Sequence, residues 1–518
     1  MKYAVSSREM KIYDRNTSDI FGIPSQVLME RASLKVSDVI DERIRKKDCK
    51  RKYRALVMAG VGNNGGDGAA ISRLLKQRGY LVSLCVVGDL TKCSDLLLSQ
   101  LKICEKYGIE TATFSNIRDN KSIFEWDIIV DALFGIGLSR IVTGSFADAI
   151  GYISRCKEEK KDDLLVVSVD MPSGINADNG EMLGTAVRAD VTVTFNQIKL
   201  GQILYPGCEY VGELVVEDAG ITQESFCGRP PRAFFYDETP EMLLPARRKD
   251  SNKGTNGKVL IIAGSDVISG ACSLATLGCL KAGAGMVKVF TRSSNANILK
   301  TTIPEALIDT YDELSEIKDK LMADFKWADA VVLGPGIGTD DVALELVNIT
   351  LDACDKHLVL DADALNLIAK RDDLRAKVSN YAVSGRKLIL TPHLAEFARL
   401  FKKTTKECKA SVLEFPKILA DELHCTVICK DARSVVSDSN EKKIYINVSG
   451  NDGMATAGSG DVLAGLLGAV CCIVDTGFET ACIGAYIHGL SGDSAARKHG
   501  KYAMVASDIA TELEDILR

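Results

Sequence analysis

A chain of 518 residues is too long for one hydrophobic core and implies two or more domains of roughly 100–200 residues each. Apolar residues make up 46% and charged residues 26%, ordinary globular usage that excludes a low-complexity or disordered chain. Net charge is −6 with no basic run, and no apolar stretch approaches the ~20 residues of a membrane helix, so neither a nucleic-acid nor a membrane partner is expected. The opening MKYAVSSREMKIYDRN turns polar before a signal-peptide core could form. Sixteen scattered cysteines without a CxxC read as free thiols of a reducing compartment, so a cytoplasmic location is expected.

Along the chain, RALVMAG (54–60) reads as a buried strand, and a helix is predicted over roughly Asp67–Arg78 with Ala70, Leu74 and Leu75 on one face. LVSLCVVG (81–88), WDIIVDALFG (126–135), LLVVSVDMPSG (164–174) and VTVTF (191–195) repeat the strand pattern, and ELVVED near Glu213 ends it. Such alternation predicts a parallel sheet covered on both faces. Residues 221–258 break the periodicity with RPPR (229–232) and the polar run RRKDSNKGTNGK, so 226–244 is predicted as a linker between domains at 1–225 and 245–518. Alternation restarts with KVLIIAGS (258–265), WADAVVLGPG (327–336), HLVLDADAL (357–365), KLILTPH (387–393) and TVICKD (426–431). A glycine- and alanine-rich helical region closes the chain. The fold class is α/β in both halves.

The segment Gly60-Val61-Gly62-Asn63-Asn64-Gly65 satisfies G-x-G-x-x-G between a predicted strand and helix, where glycines let backbone N–H groups approach a pyrophosphate. Alone, that pattern suits an NAD-dependent dehydrogenase, with Asp89 past the next strand placed to meet a ribose hydroxyl. Asn63, Asn64 and Asp67 carry more polarity than such a clamp needs. Asp131 and Asp170, at two further strand ends, converge on the same crevice in a doubly wound sheet. Asn64, Asp131 and Ser173 then form a hard-oxygen set suited to a monovalent cation, with Asp170 a general acid or base.

VLMERA (27–32), GNNGGDG (62–68), VDALFGIGLSR (130–140) and VDMPSG (169–174) resemble the NAD(P)H-hydrate epimerase domain, the YjeF N-terminal domain, across nearly all of residues 1–220. The resemblance implies a Rossmann-like three-layer domain. It also implies that Asn63, Asn64, Gly65, Gly66 and Asp67, the loop Gly135, Ile136, Gly137, Leu138, Ser139, Arg140 and Ile141, and Asp170 hold the hydrated dinucleotide. Potassium would use Asn64, Asp131 and Ser173. Asp170 is the expected proton shuttle and Lys199, in FNQIKLG, a second catalytic group; Ile198 stands where the family often has proline.

In NDGMATAGSGDVLAGLLGAV (451–470), Gly458, Ser459 and Gly460 offer consecutive N–H groups at a helix start, an anion hole suited to a transferring phosphoryl group, and Asp461 can take a proton from a hydroxyl. This arrangement resembles the ribokinase superfamily. With NKGTNGKVLIIAGS (252–265), KAGAGMVKV (281–289), PE (304–305), LGPGIG (333–338), LDADALNLIA (360–369), LTPHLAEFARL (390–400) and GMATAGSGDVLAG (453–465), it resembles ADP-dependent NAD(P)H-hydrate dehydratase over about residues 245–515. The likeness implies a ribokinase-like α/β/α domain in which Ala271, Gly336, His393 and Asp461 face the hydrate. Lys430, Asp431, Ala432, Arg433, Ser434 and Gly460 would face the adenine nucleotide. Asp431 stands where the family commonly has glycine, and Leu-Ala-Glu follows TPH instead of Pro-Gly-Glu.

The expectation is therefore a bifunctional NAD(P)H-hydrate repair enzyme, an isomerase and a lyase, using K⁺ in the first domain, and ADP with Mg²⁺ in the second, with AMP and phosphate released. A homo-oligomer is expected. Its rivals are a small-molecule kinase of the ribokinase superfamily and a non-catalytic nucleotide-sensing N-terminal module.

Overall fold

The computed structural model describes residues 1–45, 51–118, 125–383 and 386–518, and the chain divides into two compact units, Tyr3–Ala233 and Phe234–Arg518 together with Met1–Lys2. Both are α/β, as the alternation predicts.

The N-terminal unit is built on seven parallel strands in the order Thr111–Thr113, Leu81–Val86, Arg54–Ala59, Ile128–Ala132, Leu165–Val169, Val191–Phe195 and Glu213–Glu217. Successive side chains alternate between faces: Ala55, Val57 and Ala59 enter one core, while Leu56 and Met58 enter another on the opposite face. That double burial is why these strands read as continuous apolar runs. The chain enters this sheet at Arg54–Ala59, runs out to the edge at Thr111–Thr113, then returns beside Arg54–Ala59 with Ile128–Ala132. The switch point lies between Arg54–Ala59 and Ile128–Ala132, at whose carboxyl ends a doubly wound sheet opens its crevice.

The C-terminal unit repeats this plan. Strands Leu307–Tyr311, Met286–Arg292, Lys258–Ile262, Ala330–Leu333, His357–Leu360, Leu388–Leu390 and Thr426–Cys429 run parallel, and Val435–Asp438 and Ile444–Ile446 follow antiparallel. Its switch point falls between Lys258–Ile262 and Ala330–Leu333, where the Gly264 amide donates to Pro335 O at 2.8 Å. The helices Gly270–Lys281 and Ser459–Cys471 pack so closely that a Cβ on Gly465 would lie 1.8 Å from Ala275 O. Gly465→Ala is therefore expected to cost about 1–3 kcal/mol or more, read as a lower denaturation midpoint of this unit.

The stretch 226–244 is not a loose linker. Phe234 and Tyr236 pack at a tilt against Tyr445 with ring centroids 5.5 and 5.0 Å away, and the Tyr486 hydroxyl donates to Glu238 O at 2.8 Å. Prolines and charges suggest an open segment, but the buried Phe234 ring and half-buried Tyr236 ring outweigh them, and the units divide between Ala233 and Phe234. Among the described residues no helix is long and apolar enough to cross a membrane.

Candidate active sites

The helix after the first strand begins at Asn63, four residues earlier than predicted, so Gly65, Gly66 and Gly68 lie inside its first turns. Glycine is a poor helix former, and close packing decides here. A Cβ on Gly65 would sit 1.8 Å from Gly60 O, one on Gly66 would meet Met29 at 2.6 Å, and one on Gly68 would meet Ala132 at 2.7 Å. Gly60 in turn admits Leu133 O, where a Cβ would stand 2.0 Å away. The cradle and the Asp131–Gly135 turn thus touch at the switch point, with the free N–H groups of the helix start beside them.

Asp131 is fully buried and saturated. It accepts from Ser168 Oγ (2.8 Å), Ser173 N (2.8 Å), Ser173 Oγ (2.5 Å) and Leu133 N (3.3 Å). Burial pushes its carboxyl up, and the Ser173 and Ser168 hydrogen bonds oppose that shift. Asn64 lies against Gly135, and its buried Nδ2 has no hydrogen-bond partner. A turn of that amide would present oxygen instead. The set Asn64, Asp131 and Ser173 is oxygen-rich, the donor chemistry that hard cations take, and Ser173 already holds Asp131 through its amide and its hydroxyl.

Asp170 directly follows its strand with φ +66°, a left-handed conformation that an Asp tolerates but that few non-glycine residues adopt. Lys199 Nζ lies 2.5 Å from Asp170 Oδ1 and is only 1% exposed; it also donates to Thr194 Oγ1 at 2.8 Å. Thr194 passes a hydrogen bond to the same Asp170 oxygen (3.2 Å), and Gln202 Nε2 holds the Asp170 carbonyl (2.6 Å). Parallel pairing of Ala4 and Val5 with Ile198 and Lys199 places the lysine. Two more carboxylates bear on the pair. Burial raises Asp67 well above the carboxylate range, and repulsion from Asp170 and Asp14 adds to it; Asp14 is raised by burial and Asp170. Asp14, on the helix Ser7–Asp19, was missed from sequence because only the fold brings that helix here. Ser7 anchors it by donating from both N and Oγ to Asp178 (2.5 and 2.8 Å).

In the loop after Gly135, Gly137, Ser139, Arg140 and Ile141 are exposed, Ile136 is half-buried and Leu138 is packed into the core. Leu138 therefore offers backbone, not side chain. Asp89 caps the turn Leu90–Lys92, accepting from Thr91 N and Oγ1 (3.0 and 2.7 Å), a local role.

In the C-terminal unit three successive strand ends deliver Asp361, His393 and Lys430. Gly336, at φ +64°, packs against Ala271, where a Cβ would lie 2.9 Å from that of the alanine. Gly338 N donates to Asp363 Oδ2 at 2.9 Å, tying that loop to the next strand end. Lys430 Nζ donates to Asp361 Oδ1 at 2.8 Å. Gly458, at φ +92°, opens the helix Ser459–Cys471, and Asp461 lies in its first turn. Burial, then repulsion from Asp361, raises the Asp461 carboxyl to about 7, with Lys430 opposing.

His393 caps the helix Leu394–Leu400. Its Nδ1 accepts from Ala395 N (3.1 Å) and Glu396 N (3.4 Å), so a neutral ring carries its proton on Nε2, which lies 3.3 Å from Glu396 Oε1. Burial, Lys430 and Arg399 lower its pKa, favouring that neutral form. Asp431 and Ala432 are exposed, and Arg433 and Ser434 half-buried; the Ser434 hydroxyl donates to Asp431 O at 3.4 Å.

His488 is a further residue that sequence did not single out. It is buried, with Nε2 3.0 Å from Ser459 O at the start of the cradle helix. Burial, with Lys430 adding, lowers its pKa from 6.5 to about 4, against the Ser459 hydrogen bond. The unfolded chain takes up this proton at higher pH than the folded one, so stability is lost as pH falls from about 6.5 to about 4. His488→Gln is expected to flatten that slope, by about 1.4 kcal/mol per pH unit at most, in denaturant titrations at about pH 7 and about pH 5.

Two family models match the chain: YjeF-related protein N-terminus over residues 25–201 and NAD(P)H-hydrate dehydratase over 259–515. The curated bifunctional NAD(P)H-hydrate repair enzyme of Thermofilum pendens is 34% identical, covering 98% of this chain and 95% of its own. Its counterpart in Moorella thermoacetica is also 34% identical, covering 100% of this chain and 97% of its own. Among solved structures, the ADP/ATP-dependent NAD(P)H-hydrate dehydratase of Bacillus subtilis aligns with TM-score 0.47 and 26% identity, over 54% of this chain and 96% of that one. Full-length identity to relatives that carry both units makes this chain a member of the bifunctional NAD(P)H-hydrate repair enzyme family.

Proposed function

We propose that this chain repairs hydrated NAD(P)H, its N-terminal unit interconverting the R and S hydrates and its C-terminal unit dehydrating the S hydrate at the expense of ADP. The observation that carries the reading is Asp461, a carboxyl raised to about 7 in the first turn of a helix opened by Gly458. A base of that strength beside an anion hole suits proton removal from a hydroxyl that is being phosphorylated.

In the N-terminal unit, the N–H groups at Asn63–Gly66 and the backbone of Gly135–Ile141 would hold the dinucleotide, with Asp67 beside its ring. The Asp170–Lys199 pair gives a proton to the ring hydroxyl. The C–O bond breaks as the ring nitrogen lone pair forms the iminium, and water leaves. Water then adds to the other face and returns its proton to the pair. Asn64, Asp131 and Ser173 would hold potassium, whose charge would steady the cradle against the dinucleotide phosphates.

In the C-terminal unit, Ala271, Gly336 and His393 would face the hydrate, and Lys430–Ser434 with Gly460 the nucleotide. Asp461 takes the proton as the hydrate oxygen forms a bond to the terminal phosphorus of ADP, and AMP leaves with the electrons of the broken P–O bond. The ring nitrogen then expels phosphate. A proton lost from the adjacent ring carbon, to the departing phosphate, closes the double bond of NAD(P)H. Asp361 and Glu396 are committed to Lys430 and His393, which supports Mg²⁺ arriving on the nucleotide phosphates. Fifteen cysteines among the described residues stand outside any disulfide, which supports a reducing, cytoplasmic setting.

Phosphorus NMR of a reaction with S hydrate and ADP tests the reading. One AMP and one phosphate per NAD(P)H formed is expected. A stable phosphorylated product without reduced cofactor would instead mark a small-molecule kinase.

A further inference from the structure

The LDADAL strand end lies within reach of the cradle. Asp361 follows the strand His357–Leu360 and Lys430 follows Thr426–Cys429. Their side chains are 2% and 18% exposed and joined at 2.8 Å. Asp361 occupies the N-cap of the helix Ala362–Lys370 yet makes no side-chain cap bond, since its carboxylate is turned to the lysine instead. The backbone bends to aim it: Ala362 has φ +50°, and at Gly334 (φ +128°) a Cβ would stand 1.9 Å from Asp361 O. A Cβ on Gly460 would lie 3.1 Å from Lys430 Nζ and 3.8 Å from Asp361 Oδ2. The glycine therefore leaves room for this ion pair directly over the first turn of the cradle helix.

We propose that Asp361 is a positioning residue of the dehydratase, holding the Lys430 ammonium over the Gly458–Asp461 turn, where it meets the terminal phosphoryl group of a nucleoside diphosphate. This rests on reading the C-terminal unit as a phosphoryl-transferring dehydratase. As the hydrate oxygen bonds to phosphorus and the bond to AMP breaks, negative charge on the phosphoryl oxygens is met by a fixed ammonium. Pairing with Asp361 also keeps that ammonium from closing directly on Asp461, which would weaken it as a base. The other groups facing Asp461 are Asp363 beside Asp361, and Glu396 with His393 at the helix Leu394–Leu400; His488 stands behind the turn at Ser459.

The test uses the full chain, S hydrate and saturating ADP with Mg²⁺, and reads kcat, KM and the acid limb of the pH profile. Asp361→Asn removes a negative neighbour and frees the lysine charge, so the acid limb moves down by about one pH unit or more. Lys430→Met does the reverse, and its limb moves up. In both, kcat falls by about tenfold or more while KM for the hydrate changes less, and Asp361→Glu returns the limb toward wild type. A fall in kcat with the limb unmoved, or shifts of the same sign in both variants, overturns the proposal as a merely structural effect. If Asp361→Asn does not fold, Asp361→Glu decides: it keeps the negative charge and the acid limb but displaces the ammonium, so kcat still falls, and a wild-type kcat overturns the proposal. Wild type run in parallel separates the two failures: no ADP-dependent recovery of reduced cofactor from wild type defeats the dehydratase reading itself.

Discussion

Asp461→Asn is expected to reduce ADP-dependent recovery of NAD(P)H from the S hydrate by about 10²–10⁴-fold while leaving interconversion of R and S hydrates untouched. The amide keeps the size of the carboxyl but cannot take the hydroxyl proton. In wild type the base works only when deprotonated. Its carboxyl is raised to about 7, chiefly by burial and then by Asp361, so the rate is expected to climb as pH rises through about 7 and to level above it. In the variant that limb disappears. Stopped assays of AMP and of absorbance from reduced nicotinamide, on separate R and S hydrates, read both activities in one protein.

Asp170→Asn is the complementary experiment. Asp170 is the proton shuttle proposed for the epimerase, so a fall of about 10²–10⁴-fold is expected, with S hydrate still dehydrated at the wild-type rate. A second effect accompanies it. Lys199 is 1% exposed and its ammonium lies 2.5 Å from Asp170, so removing the carboxylate strands a buried charge at about 3–5 kcal/mol of stability. Adding Lys199→Met should restore much of that stability and none of the activity. Recovery of both would reduce the pair to a structural role.

The sequence carried a large part of the architecture because the strands are buried on both faces and read as unbroken apolar runs. The two cradles were legible because a glycine before a helix start leaves few alternatives. Other parts were hidden for definite reasons. Glycines at 65, 66 and 68 argue against a helix by propensity, and only their contacts with Gly60, Met29 and Ala132 make one. Asp14 lies far along the chain from Asp67 and Asp170, and the pairing of Val5 with Lys199 brings its helix alongside them. Asp361 stands inside the LDADALNLIA segment (360–369), but its link to Lys430 depends on two strands with a third between them. Phe234 and Tyr236 looked like linker because their neighbours are prolines and charges; the face of Tyr445 that receives them is invisible from sequence.

The central claim, two linked repair activities in one chain, is tested most directly by a time course on mixed R and S hydrates with ADP, Mg²⁺ and K⁺. Complete recovery of reduced cofactor, faster than spontaneous epimerisation allows, is the predicted result. Recovery that halts at the initial S fraction would contradict the epimerase half, and no ADP-dependent recovery at all would contradict the dehydratase half.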